Sequence, residues 1–183
     1  MTPAAPPLPP LPPLPRLDDY ADYMNALPGG LVKALGLRFV TATAEEVTAT
    51  LTVTETHLQP YGIVHGGVHA VLVESVASVG AALQCLPRGE WIVGIENRTR
   101  FLRPVRAGAT LHAVGRPRPV PAGDAGTATA DDPVWIVDVR DGAGSLVASG
   151  QLRLRRLPPE TELSGHPVGI SGTAGVDGRP VRE

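Results

Sequence analysis

The sequence predicts an α+β domain in which an antiparallel sheet wraps around one long central helix. Two observations carry this. From Gly66 to Leu86, apolar residues recur at Val68, Val71, Leu72, Val76, Val79, Leu83 and Leu86, the spacing of an apolar helical stripe. Strand-like runs lie on both sides of it, two before the helix and four after. A long helix set between antiparallel strands buries its stripe if the sheet closes around it.

Taken in order, residues 1–16 are a Pro-rich tail without the charged start or the unbroken apolar run of a signal peptide. Residues 17–30 hold a short helix, with Asp18 and Asp19 in its first turn and Pro28-Gly29-Gly30 ending it. The domain proper runs over 31–157, opening with a turn at Leu31–Leu35. Val47, Ala49, Leu51 and Val53 then alternate with threonines, as a strand with one buried face requires. After the helix come strands at Trp91–Phe101, Gly108–Gly115, Val134–Arg140 and Ser145–Arg155, the last two a hairpin. Pro117–Pro133 is far longer than a hairpin loop and reads as a solvated insertion or as a lip near a pocket. Residues 158–183 read as a flexible tail.

With 183 residues, a formal charge of −2 and 43% hydrophobic residues, the chain suits one soluble domain with a real core. There is no basic excess for nucleic acid, and the polar residues His69, Glu74 and Gln84 argue against a membrane-spanning role for the helix. The lone cysteine, Cys85, excludes an internal disulfide and a cysteine metal cluster.

The chemistry concentrates in 57–86. A second helical stripe holds Gly67, Ala70, Glu74, Ala77, Ser78 and Ala81, small residues around one carboxylate. At the other end, Gly66 and Gly67 open the helix, where the first N–H groups lack internal partners and glycine admits an approaching oxygen. Glu74 follows Gly66 by eight residues, roughly 12 Å along the axis. One helix therefore cannot bring both groups to one atom, and cooperation between them requires a second copy.

His57-Leu58-Gln59-Pro60-Tyr61-Gly62, then His65-Gly66-Gly67, then Glu74 resembles the hotdog-fold acyl-CoA thioesterases, over residues 31–157. The branch it is most similar to includes the 4-hydroxybenzoyl-CoA, 1,4-dihydroxy-2-naphthoyl-CoA and phenylacetate-pathway enzymes. Many relatives carry Asn for Gln59 and Asp for Glu74; the Gln-plus-Glu pair points to the aromatic-acyl branch. The resemblance implies a cytoplasmic homodimer or homotetramer that hydrolyses acyl-CoA without a cofactor or metal. It implies that Gly66 N–H polarises the carbonyl, and that Glu74 of the facing subunit attacks or deprotonates water. Gln59 positions water or the carboxylate, Ser78 hydrogen-bonds Glu74, and His65 is either catalytic or a ring that fixes the loop.

Coenzyme A brings phosphates. Gly67 at the helix start and Arg100, Arg103 and Arg106 near the end of one strand are candidates to hold them, although a solvated basic edge would look the same. His57 and His69 read as packing or surface residues. A His65/His69/Glu74 metal site lacks a third ligand in helical register, and Ser78 lacks the G-x-S-x-G setting of a nucleophile. The alternatives are a non-catalytic acyl-CoA-binding or regulatory hotdog protein, disfavoured by the carboxylate, and a hydratase, disfavoured by the lack of a His–Asp pattern.

Overall fold

The computed structural model describes residues 17–27, 30–118, 132–159, 161–163 and 166–167. The Pro-rich tail expected over 1–16, the inner part of the 117–133 insertion and most of the expected C-terminal tail lie outside these residues. Helices α1 (Ala21–Ala26) and α2 (Gly30–Ala34) precede strands β1 (Arg38–Ala42) and β2 (Val47–Thr52). The long helix α3 (Gly66–Cys85) follows, then β3 (Trp91–Phe101), β4 (Thr110–Pro117), β5 (Val134–Arg140) and β6 (Leu146–Leu157). The six strands form one antiparallel sheet in the order β1-β2-β4-β5-β6-β3. It packs on α3 through β2, β3, β4, β5 and β6, which is the wrapped arrangement the sequence predicts.

Two local readings change. Neither Asp18 nor Asp19 is in the first turn of α1; both precede the helix, and the Asp19 carboxylate accepts from the N–H of Ala21 (2.7 Å) and of Ala42 (2.9 Å). It thereby ties the N-terminal segment to β1, and Asp22 takes the first-turn position. Within the expected C-terminal tail, β7 (Glu162–Leu163) and β8 (His166–Pro167) make a short antiparallel ladder.

The inner face of the sheet follows the alternation. Val47, Ala49 and Leu51 of β2 are buried while Thr48, Thr50 and Thr52 point away. Apolar side chains removed from water stabilise the domain at roughly 25 cal/mol per Å², but here the fit matters as much as the area. Three glycines let α3 lie close. A Cβ at Gly150 would come within 2.7 Å of Val73, one at Gly115 within 2.5 Å of Val76, and one at Gly80 within 2.0 Å of the Trp135 ring. Trp135 is fully buried, so it has no room to swing aside.

This close approach is testable. Gly80→Ala is expected to lower stability by at least about 2 kcal/mol, since overpacking of a rigid core is that costly. Gly142→Ala, where an added Cβ meets nothing within 4 Å, is expected to change it by less than about 0.5 kcal/mol. Urea denaturation midpoints measure both; equal midpoints would refute the packing account.

Candidate active site

The first half of the site is built at the start of α3. Backbone bonds hold the approach rigidly: Gln59 N–H to Ile63 O (2.9 Å), Gly62 N–H to Gln59 O (2.9 Å), Val64 N–H to Val105 O (2.8 Å) and His65 N–H to His57 O (2.8 Å). Gly62 turns the loop with φ +72°, a conformation that favours glycine. His65 then caps the helix: its Nδ1 accepts from the Gly67 N–H at 2.9 Å, and its carbonyl accepts from Val68 N–H at 2.9 Å. The ring therefore fixes the loop before the helix, one of the two roles the sequence left open for it. Gly67 N–H is engaged by that cap, whereas Gly66 N–H has no partner among the described residues.

Gly66 opens into a cavity of about 660 Å³ whose walls include Gln59, His65, His69, Phe101 and Arg103. Phe101 covers it: a Cβ on Gly66 would lie 2.8 Å from the Phe101 ring, and the ring centroid stands 6.1 Å from that of His69. Phe101 itself is 60% exposed, at the end of β3.

The second half is built around Glu74. Ser78, one turn on, donates its hydroxyl to Glu74 Oε1 at 3.3 Å, the contact their spacing implies. A Cβ on Gly94 of β3 would lie 3.0 Å from the same oxygen. A register shift between Gly94 and Glu96 bulges Ile95 outward, so that Gly94 and, beyond the bulge, Asn97 both face α3. Asn97 Nδ2 donates to Ala70 O at 3.0 Å. Glu74 and Ser78 line a different cavity, about 550 Å³, walled by α1, α2 and β1 through Met24, Leu31, Leu37 and Phe39.

Within one protomer the two halves do not meet: Gly66 and Glu74 line separate cavities with no lining residue in common. The arginines divide as well. Arg103 lines the Gly66 cavity and donates to Leu146 O. Arg106 lies beside the Gly62 turn, with Nη1 3.8 Å from a Cβ placed there. Arg98 is paired with Glu96 (2.8 Å). Arg100 alternates with Phe101 and so points from the opposite face of the sheet, away from the Gly66 cavity.

Three features lay beyond the sequence reading. The α1–α2 wall of the Glu74 cavity and the Phe101 cover depend on sheet register, which no local pattern encodes. His69 was detectable: it lies on the same face as Gly66 and four residues after His65. Both His57 and His69 are buried. His57 is fully engaged, accepting from Thr54 N–H at Nδ1 (2.8 Å) and contacting Leu35 O through Nε2 (3.0 Å). Among the described residues the His69 side chain has no hydrogen-bond partner, and its Nδ1 is sealed from solvent. Desolvation by burial pushes its pKa below the usual 6.5.

A single antiparallel sheet closed on one long helix, with a glycine pair opening that helix, defines a hotdog-fold protein. Comparison with known proteins agrees. The profile of the thioesterase superfamily matches residues 61–122. The chain is 31% identical over 130 residues to the 1,4-dihydroxy-2-naphthoyl-CoA hydrolase of Escherichia coli K12, covering 70% of this chain and 88% of that one. The crystal structure of S. sahachiroi AziG superposes with a TM-score of 0.63 at 37% identity, over 71% of this chain and 98% of that one. That of thioesterase HI1161 from Haemophilus influenzae does so with a TM-score of 0.62 at 28% identity, over 73% and 87%. The chain belongs to the thioesterase superfamily and is a thioester hydrolase.

The buried His69 gives stability a pH dependence of definite sign. Its folded pKa is depressed below 6.5, so on acidification the unfolded chain takes the proton first. The neutral ring's share of stability is complete above about pH 6.5 and is lost as pH falls toward the folded value. His69→Phe, which cannot titrate, is expected to lose less stability between about pH 6.5 and 5 than wild type. Parallel stability–pH curves for the two proteins would exclude this.

Proposed function

We propose that the protein hydrolyses acyl-CoA thioesters to the free acid and coenzyme A, as a homodimer in which each site joins Gly66 of one protomer to Glu74 of the other. The observation that carries this is the placement of both groups along β3. Glu74 lies behind Gly94 near one end of the strand, and Gly66 lies behind Phe101 at the other, on the same face of the sheet. β3 is an edge strand of 11 residues, with Ile95, Phe101 and Leu102 exposed along or just after it. Such an edge invites pairing with another strand. Antiparallel pairing of two β3 strands about a two-fold axis near Asn97 and Arg98 brings Gly94 of each close to Phe101 of the other. The partner's Glu74 then meets Gly66, which removes the helical separation of roughly 12 Å.

The thioester carbonyl accepts from Gly66 N–H as negative charge develops on its oxygen. The partner's Glu74, held by Ser78, attacks the carbonyl carbon to give an anhydride or takes a proton from an attacking water. The C–S bond breaks and coenzyme A leaves as the thiolate; on the anhydride route a water then hydrolyses the anhydride, which releases the free acid and regenerates the Glu74 carboxylate. Gln59, which lines the Gly66 cavity and whose side chain has no hydrogen-bond partner among the described residues, positions the water or the carboxylate. His65 holds the helix start in place, and Gly67 contributes through that cap. Arg103 and Arg106 serve as the rim for the coenzyme A phosphates; Arg100 takes part only if the nucleotide crosses the β3 edge. The cavity beside Glu74, about 550 Å³, is of ordinary small-molecule size. With its apolar α1–α2 wall, it suits an aromatic ring or a short or medium acyl chain.

Thiol release from benzoyl-, hexanoyl- and palmitoyl-CoA tests the activity. Wild type is expected to turn over the first two, and Glu74→Ala to lose about a hundredfold or more in kcat. Tight binding of the whole panel without turnover would favour a non-catalytic acyl-CoA binder instead. Subunit mixing tests the shared site. Glu74→Ala and Gly66→Val, each inactive alone, are expected to recover about a quarter of wild-type activity after co-refolding at equal amounts, because only one site of each mixed dimer is intact. No recovery despite mixed dimers would place both groups in one protomer.

A further inference from the structure

We propose that the Nε2–H of His69 is the second hydrogen-bond donor to the thioester carbonyl oxygen, beside the Gly66 N–H. The assignment rests on the acyl-CoA reading above and adds a residue to its machinery. The start of α3 is short of donors: Gly67 N–H is given to the His65 ring and Val68 N–H to the His65 carbonyl, which leaves Gly66 alone. His69 stands at the same place with its hydrogen-bonding capacity unused. It is 4% exposed, lines the cavity that Gly66 lines, and bonds to nothing among the described residues.

Direction follows from helix geometry. Side chains on a helix lean toward its N-terminus, so a residue three positions after Gly66 lays its ring over the turn that Gly66 begins. Phe101 marks the same spot, since its ring packs against both Gly66 and His69. The two nitrogens differ. Nδ1 is sealed without a partner, while Nε2 is neither sealed nor bonded. A proton on Nε2 leaves a buried acceptor unmatched at Nδ1 rather than a buried N–H, the less costly of the two. That tautomer turns the donor toward the cavity, and burial favours the neutral ring that carries it. No proton is transferred; the hydrogen bond strengthens as the carbonyl becomes an oxyanion.

A structural histidine behaves in the opposite way. An unmatched polar atom in a buried site lowers stability, so an apolar ring of similar shape restores or raises it if packing is the residue's only task. Stability and activity should therefore move apart in His69→Phe.

The experiment uses carbonyl-labelled benzoyl-CoA bound to full-length Glu74→Gln protein, read by the infrared stretch of the labelled carbonyl. On binding, the band is expected to move to lower frequency. Adding His69→Phe is expected to reverse much of that movement, and adding His69→Gln, whose amide nitrogen reaches the Nε2 position, to preserve it. In the active enzyme, His69→Phe is expected to lower kcat about tenfold or more while KM stays within about threefold and the unfolding midpoint does not fall. His69→Leu replaces it if the Phe variant fails to fold. A band unmoved by either apolar variant, or kcat retained within about twofold, overturns the assignment alone. A band moved by Gln59→Ala instead gives the role to Gln59 and also overturns it. Failure of the Glu74→Gln protein to bind acyl-CoA overturns the acyl-CoA reading and this assignment together.

Discussion

The depth at which α3 lies against the sheet decides where every functional group can stand. Val73 presses into Gly150 and Val76 into Gly115, while Gly80 receives the edge of Trp135. These contacts are spread over two turns of the helix and engage three different strands, so they set its rotation as well as its distance. Among the described residues the Trp135 Nε1 is buried without a partner, a cost of the order of 1–3 kcal/mol that dense packing has to offset. With depth and rotation set, Glu74 faces the missing side chain of Gly94, and the helix start emerges beneath Phe101. A side chain at any of the three contact glycines would lift the helix and move both halves of the site together.

β3 turns this packing into a shared boundary. A regular strand would alternate faces without interruption, and Gly94 and Asn97, three residues apart, could not both look at α3. The bulge at Ile95 resolves this. It gives Glu74 an open neighbour and leaves Asn97 free to bond the α3 backbone. The same strand is the edge of the sheet, so Glu74 and Gly66 both lie behind an edge open to pairing. Local irregularity and open edge are thus two aspects of one requirement, because a regular inner strand would separate the carboxylate from the surface.

Most of the fold was legible because it rests on periodicity. The threonine alternation of β2 and the stripe of α3 each state a face directly, and the observed strands begin and end within about two residues of those read from sequence. The Glu74–Ser78 contact was legible for the same reason, being one helical turn. Asp19 was misplaced because an acidic residue before a helix suits either a first-turn charge or a bridge to another strand, and only the position of Ala42 decides between them. Phe101 over Gly66 and the α1–α2 wall were illegible: each joins segments far apart in sequence through a strand register that a one-residue slip would reverse. His69 falls between these cases. Its place on the Gly66 face could be counted out, but its lack of a partner could not.

His57 joins the two cavities structurally within one protomer. Its ring contacts Leu35 O, at the end of the segment that walls the Glu74 cavity, and accepts from Thr54 N–H. Its own carbonyl accepts from the N–H of His65, the residue that caps α3. A single buried residue therefore ties the segment walling the Glu74 cavity to the cap of the helix that Gly66 opens, through two bonds of 3.0 Å and 2.8 Å.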